Sequence, residues 1–142
     1  MPTAFSPTID EFLLRHHVMS LAMTEGEAPW AASVFYVFDI AGRRLIFFTS
    51  PATRHGSMLV RNARAAGTIA GQQRDIATLC GLQFEGTAAM LDEPHTREAE
   101  ALFAAAFPGV SAHGTPLWAL SPTMLKLTNN ALGFGFKEIW KG

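Results

Sequence analysis

The sequence predicts a mainly β, α+β chain: a small antiparallel barrel of about six to eight strands with a few peripheral helices. Two observations carry this. Short runs rich in β-branched, aromatic and apolar residues follow one another through brief turns, and the few helical segments sit where the chain would cross over. The order of elements also lacks the regular alternation of strand and helix that builds a parallel doubly wound sheet.

Thr8-Ile9-Asp10-Glu11 reads as a capping box ahead of Phe12 and Leu13, which predicts a short helix ending near His16-His17. Val18 to Met23 and Trp30 to Phe38 read as a hairpin turning at Thr24-Glu25-Gly26-Glu27. A second turn, Asp39-Ile40-Ala41-Gly42, leads into an aromatic-rich strand from Arg43 to Thr49. Ser50-Pro51 suits a helix start, with Thr53 as the competing cap, and that helix is expected to run to about Ala63.

Gly67 to Gly71 reads as a short strand, and Asp75 to Leu91 as a long one in which Gly81 and Gly86 suggest a bend or bulge. Glu93-Pro94 opens a helix through Ala106 whose Leu102, Phe103, Ala106 and Phe107 share an apolar face, and Phe107-Pro108-Gly109 stops it. Leu117 to Leu120, Met124 to Asn129 and Leu132 to Trp140 read as the closing strands. No repeat or linker interrupts the pattern, so residues 1–142 are expected to form one domain.

Eleven Lys and Arg stand against 12 Asp and Glu, a net charge of -1, which argues against nucleic acid or an anionic membrane as partner. Cys80 is the one cysteine, so no internal disulfide or multi-thiolate metal site forms; a buried inert thiol is the expectation. MPTAFSPTIDEFLL lacks the basic and apolar regions of a signal peptide, and no run nears the roughly 20 apolar residues that cross a bilayer. A cytoplasmic location is expected.

The seam LIFFTSPATRHGSMLVRN, Leu45 to Asn62, concentrates anion donors between a strand and a helix. A helix N-terminus offers unpaired N–H groups and about half a positive charge, so a phosphate is stabilised there before any side chain acts. Arg54 adds a fork of donors and Thr49, Ser50 and Thr53 add hydroxyls. The competing reading is that Ser50 and Thr53 only cap a helix while Arg54 lies in solvent. The five histidines, His16, His17, His55, His95 and His113, never fall at the i, i+4 spacing of a helical zinc pair, so no metal is expected. Gly133-Phe134-Gly135 lacks the third glycine and following helix of a dinucleotide fingerprint, and Ser33, Ser57 and Ser121 lack a nucleophile elbow. Trp30, Trp118 and Trp140 suit either a pocket for a flat ligand or ordinary core and interface.

Taken together, the order of elements and the seam resemble the split-barrel flavoproteins related to pyridoxamine phosphate oxidase, most clearly from His17 to Leu91. Phe48-Thr49-Ser50 followed by Thr53-Arg54-His55 stands where that family places Ser-Arg-Lys around the flavin phosphate. NARAAGTIA, Asn62 to Ala70, is similar to the family's helix end and next strand, and QFEGTAAML to the strand after it; the tail LGFGFKEIW resembles a small bacterial subgroup. The resemblance implies that Thr53, Arg54 and His55 bind the phosphate of FMN, with Phe48, Thr49 and Ser50 nearby. It implies that Ala32, Ser33 and Val34 run beside the flavin ring and offer backbone groups to its polar edge. It implies a homodimer with the flavin at the interface, approached by Gly81, Leu82 and Gln83 of the other copy, with Trp118 a further candidate.

Departures qualify what is implied. Pro29-Trp30-Ala31-Ala32-Ser33 stands where the oxidases often carry an arginine, His55 replaces the family lysine, and the chain lacks their arginine-bearing tail. A true pyridoxamine phosphate oxidase is therefore not expected. The expectation is an FMN-dependent oxidoreductase drawing on NAD(P)H, with catalytic residues unassigned. The alternative is a non-catalytic binder or sensor of flavin or haem on the same fold, and a third is a structural dimer with an empty cleft.

Overall fold

The computed structural model describes residues 3–111 and 113–142. Helix α1, Pro7–Arg15, is capped by Ser6, whose Oγ accepts from the Ile9 amide at 3.2 Å. The expected cap, Thr8, lies inside the helix: Pro7 fits the first helical position at no cost in hydrogen bonds, which moves the cap to the residue before it. Ile9, Phe12 and Leu13 form the buried face, and the helix ends at His16, as expected.

β1, Val18–Glu25, alternates buried Met19, Leu21 and Met23 with outward residues, and turns at Gly26 (φ 58°) into β2, Ala28–Phe35. The strand expected from Trp30 to Phe38 is cut at Tyr36. There the amide donates to the His17 carbonyl at 2.9 Å and the hydroxyl to the Leu13 carbonyl at 2.9 Å, so the backbone leaves one ladder before entering another. β3, Val37–Asp39, then pairs with β4, Arg44–Phe48. After helix α2, Arg54–Arg61, come β5, Arg64–Ala70, and β6, Cys80–Met90.

β6 starts later than expected. Asp75 Oδ1 accepts from the Ala77 amide and winds Ile76–Thr78 into a 3₁₀ turn, which withdraws the β-branched Ile76 and Thr78 from the sheet. Helix α3, Glu93–Ala106, matches its expected bounds, with Asp92 as cap. The two strands expected after it are one, β7, Leu117–Asn129, which passes through Pro122 at a bulge. The register shifts between Glu85 and Gly86, and a Cβ on Gly86 would meet the Ser121 carbonyl oxygen. A bulge is where a strand tolerates the missing N–H of proline. The last strand, β8, is only Lys137–Lys141, because a 3₁₀ turn at Asn130–Leu132 and the positive φ of Gly133 and Gly135 delay it.

All ladders are antiparallel, in the order β2-β1-β5-β6-β7-β4-β3, and β8 pairs with the second half of β7. β2 and β3 therefore hold opposite ends of the sheet while only Tyr36 separates them along the chain. The sheet has to curl to satisfy both conditions, and among the described residues no ladder joins its ends: they form a split barrel of eight strands. Phe47, Phe84, Trp118, Leu120 and Leu125 fill its interior beside α1, and α3 covers the other face of β3, β4 and β7 with Ala99 and Phe103. No described helix is long and apolar enough to cross a membrane.

Candidate functional site

β4 ends at Phe48 and the chain turns through Thr49 to Thr53 into α2. That turn is fastened from several sides. The Thr53 amide and hydroxyl both donate to the Ser50 carbonyl, at 3.1 and 2.7 Å, and Ser50 Oγ accepts from the Ala52 amide at 3.1 Å. Thr53 Oγ1 caps the helix by accepting from the Gly56 amide at 3.0 Å, so the competing cap prevails over Ser50. Pro51 and Ala52 precede the helix, which ends at Arg61, two residues short of the expected Ala63.

Gly56 lies so close beneath this turn that a Cβ there would run into the Ser50 carbonyl oxygen. The first two helical amides, those of Arg54 and His55, have no acceptor within the helix and face the N-terminal end. Partial positive charge is thus concentrated where the side chains of Thr49, Ser50, Thr53, Arg54 and His55 meet.

Arg54 lies over the Trp30 ring, 3.8 Å from its centroid. Among the described residues no carboxylate pairs with it, so its charge is held in place by an aromatic face and left uncompensated. His55 Nε2 shares a 2.5 Å hydrogen bond with Thr49 Oγ1 and lies 3.5 Å from Thr53 Oγ1. Burial lowers its pKa from the ordinary 6.5, favouring the uncharged ring. The corner therefore holds one fixed cation, one imidazole that can be charged, and three hydroxyls.

The remaining sequence-predicted residues divide by position. Ala32 and Val34 are half-buried on the same face of β2 as Trp30, and Ser33 is exposed on the other. β2 is a terminal strand with one edge that no ladder uses, which leaves backbone donors and acceptors for a ligand. Phe48 points away to pack on Phe103, ring centroids 5.0 Å apart. Trp118 is only 1% exposed, within the barrel core. Its indole N–H donates to the Thr49 carbonyl at 3.1 Å, so it braces the turn from beneath and does not face a ligand. Gly81, Leu82 and Gln83 lie on β6, separated from β2 by β1 and β5. The Leu82 side chain is buried in this chain's own core, which leaves Gln83 and the backbone of the strand to face outward.

Two contributors escaped the sequence reading. Trp30 is offered there for a flat-ligand pocket or for core, but its role under Arg54 is not legible, because that pairing spans 24 residues and is made by the fold. Gly56 carried a legible signal, being a glycine within an otherwise ordinary helical run. Among the described residues no three His, Cys, Asp or Glu side chains gather in a way that would hold a metal ion.

The fold and this corner can be set beside known proteins. A UPF0306 protein of Photorhabdus laumondii is 41% identical over 133 residues, covering 94% of this chain and 93% of that protein. The heme binding protein of Mycobacterium smegmatis superposes with a TM-score of 0.73 at 19% identity, covering 98% of this chain but only 60% of its own. HutZ, a heme storage protein of Vibrio cholerae, gives a TM-score of 0.67 at 18% identity, covering 84% of this chain and 91% of its own. At such identities the structural likeness speaks for the fold alone. Residues 5–128 match the family described as Pyridoxamine 5'-phosphate oxidase, which takes in every strand up to β7 and the whole of the Thr49–His55 corner. The chain belongs to the pyridoxamine 5'-phosphate oxidase family.

Proposed function

We propose that the chain binds FMN as a homodimer and passes reducing equivalents from a nicotinamide donor, NADH or NADPH, to a small acceptor. The observation that carries the reading is the uncompensated Arg54 guanidinium at the capped start of α2, beside the hydroxyls of Thr49, Ser50 and Thr53. A phosphate monoester brings about −1.5 to −2 charges at pH 7 and three acceptor oxygens, which suits two helix-start amides and a guanidinium. The unpaired edge of β2 at Ala32 to Val34 suits the polar rim of the flavin ring. FMN supplies the redox chemistry when bound, while this chain's residues hold the phosphate, orient the ring and exclude water. With one fixed cation at the corner, retention should be weaker than in a site with two.

A second reading has its own support. Two proteins of the same fold are described as binding or storing heme, so a non-catalytic holder of a flat ligand is the competitor. Titration of the purified protein with FMN, followed by quenching of flavin fluorescence, tests the first reading. Saturable quenching is expected, and Arg54→Ala should cost about 1.5–3 kcal/mol, roughly ten- to hundredfold in affinity, because it removes a charge-assisted contact. Bleaching by NADPH and recovery in air would favour the enzyme over the holder. A haem absorption band on adding hemin, with no FMN uptake, would overturn the flavin reading.

A further inference from the structure

Arg54 stands where helix electrostatics disfavour it. It is the first residue of α2, at the end where aligned peptide dipoles leave partial positive charge, and the first turn holds no acidic residue. A cation is at ease in the last turn instead, which is where Arg61 lies. A local rule broken in this way is the kind of departure that functional positions make.

Geometry sharpens the conflict. In a helix each Cα–Cβ bond tilts toward the N-terminus, so the Arg54 side chain sets out over the Thr49–Thr53 turn. Repulsion from the helix end favours a guanidinium swung out into water by about two- to fivefold in population. The Arg54 guanidinium is nevertheless found over Trp30, 3.8 Å from the ring centroid. An aromatic face is worth about two- to thirtyfold to a cation, depending on how far water is excluded, and so can overcome the repulsion.

Trp30 is itself firmly placed. It lies on β2 in register with the buried Met23 of β1, within a ladder that runs from Val18 and Phe35 to Glu25 and Ala28. Yet 41% of it is exposed, so a large aromatic side chain on a terminal strand adds little to the core. The contact with Trp30 uses none of the N–H donors of Arg54. Among the described residues, the arginine side chains that donate hydrogen bonds are those of Arg15, Arg44 and Arg61. The whole Arg54 donor fork is therefore free for a ligand, and the rotamer freedom it would otherwise lose on binding is already reduced.

We infer that Trp30 is a positioning residue: its indole face holds the Arg54 guanidinium at the start of α2, against the repulsion of the helix end, with the donor fork free for a phosphate monoester. Trp30 acts through Arg54 and not on the ligand itself. Its part in binding rests on the flavin reading above; the ordering of Arg54 does not.

The test is a double-mutant cycle of Trp30→Ala and Arg54→Ala read by FMN affinity, with the order of the Arg54 Nε–H bond followed by NMR relaxation in the protein without FMN. Trp30→Ala should weaken FMN binding roughly three- to tenfold while Arg54 is present, and change nothing once Arg54→Ala has been made. Trp30→Phe should recover most of the loss, since a phenyl ring still offers its face to the cation. The Arg54 Nε–H bond should be ordered in the unsubstituted chain and mobile in Trp30→Ala, a difference that a merely structural role for the tryptophan would not produce. Equal losses in both backgrounds would mean that the indole touches the ligand, and no loss in either would mean that Arg54 needs no holding; each overturns the proposal, as does an Nε–H bond equally mobile in both chains. A chain that takes up no FMN, yet shows the relaxation difference and the same cycle with inorganic phosphate, would sink the flavin reading and leave the positioning role standing. Saturable FMN uptake with equal losses in both backgrounds would do the reverse, and failure to bind either FMN or inorganic phosphate would sink both.

Discussion

His55 is the residue whose chemistry depends most on conditions. Burial holds its pKa below 6.5 in the folded chain, so between the lowered value and 6.5 the unfolded state binds more protons. The stability this contributes is fully present above 6.5 and is lost as pH falls through the folded pKa. Thermal unfolding temperature should therefore drop on acidification through this range, and His55→Gln should flatten that part of the profile. A bound phosphate reverses the preference, because it stabilises the imidazolium beside Arg54, Thr49 and Thr53. Binding of FMN should then take up a proton near neutrality and tighten as pH falls, until the second ionisation of the phosphate, near about 6, removes its extra charge. Calorimetry in two buffers of different ionisation enthalpy measures that uptake, and a value of zero at pH 7 would remove His55 from the phosphate. The anion-binding residue types were legible in the sequence, since capping hydroxyls and an arginine at a strand end have local signatures. Their fastening was not: the Trp30 face under Arg54 and the Trp118 indole behind Thr49 are contacts over 24 and 69 residues.

At the scale of elements, the start of α2 is decided by a close approach. Helix propensity alone favours alanine over glycine by about 1 kcal/mol, so Gly56→Ala ought to stabilise a free helix. Here the added methyl would press on the Ser50 carbonyl, and the expected result is instead a loss of about 1–3 kcal/mol, the usual range for overpacking, with the corner forced open. Chemical denaturation settles the sign. The strands show the same limit of local reading. Apolar character runs unbroken through Val34 to Phe38, so nothing local announces that Tyr36 leaves the ladder for the Leu13 and His17 carbonyls. The strands expected at Leu117 to Leu120 and Met124 to Asn129 are one, with Pro122 opposite the register shift at Gly86, which the sequence did mark. Ile76 and Thr78 looked like strand residues, but the Asp75 cap outweighs their β propensity. α3 was legible in its bounds, although Ala99 joins Phe103 in the buried face where Ala106, exposed, was expected.

At the scale of the molecule, the barrel is joined late along the chain. β4 pairs with β7 across about 70 residues, and such long-range ladders form slowly because loop closure precedes their reward. Barrel class was legible because strand-like runs outnumber helices, whereas the order of strands follows from pairings that no local pattern encodes. The pairing of two copies proposed for this chain has a direct test. Light scattering at micromolar concentration should return twice the mass of 15.4 kDa, and a monomer would remove the interface on which the flavin reading relies.

Tyr36 is one of the ties between α1 and the end of β2, beside the stacking of the His17 ring on Phe35. Its ring hydroxyl fastens α1, while its own backbone continues directly from the open edge of β2. A molecule settling along that edge is expected to limit the motion of β2 and, through these ties, of α1. Amide hydrogen exchange in Leu13 to His17 should then slow on loading. Exchange there that ignores the ligand would mean that the tyrosine tether transmits nothing.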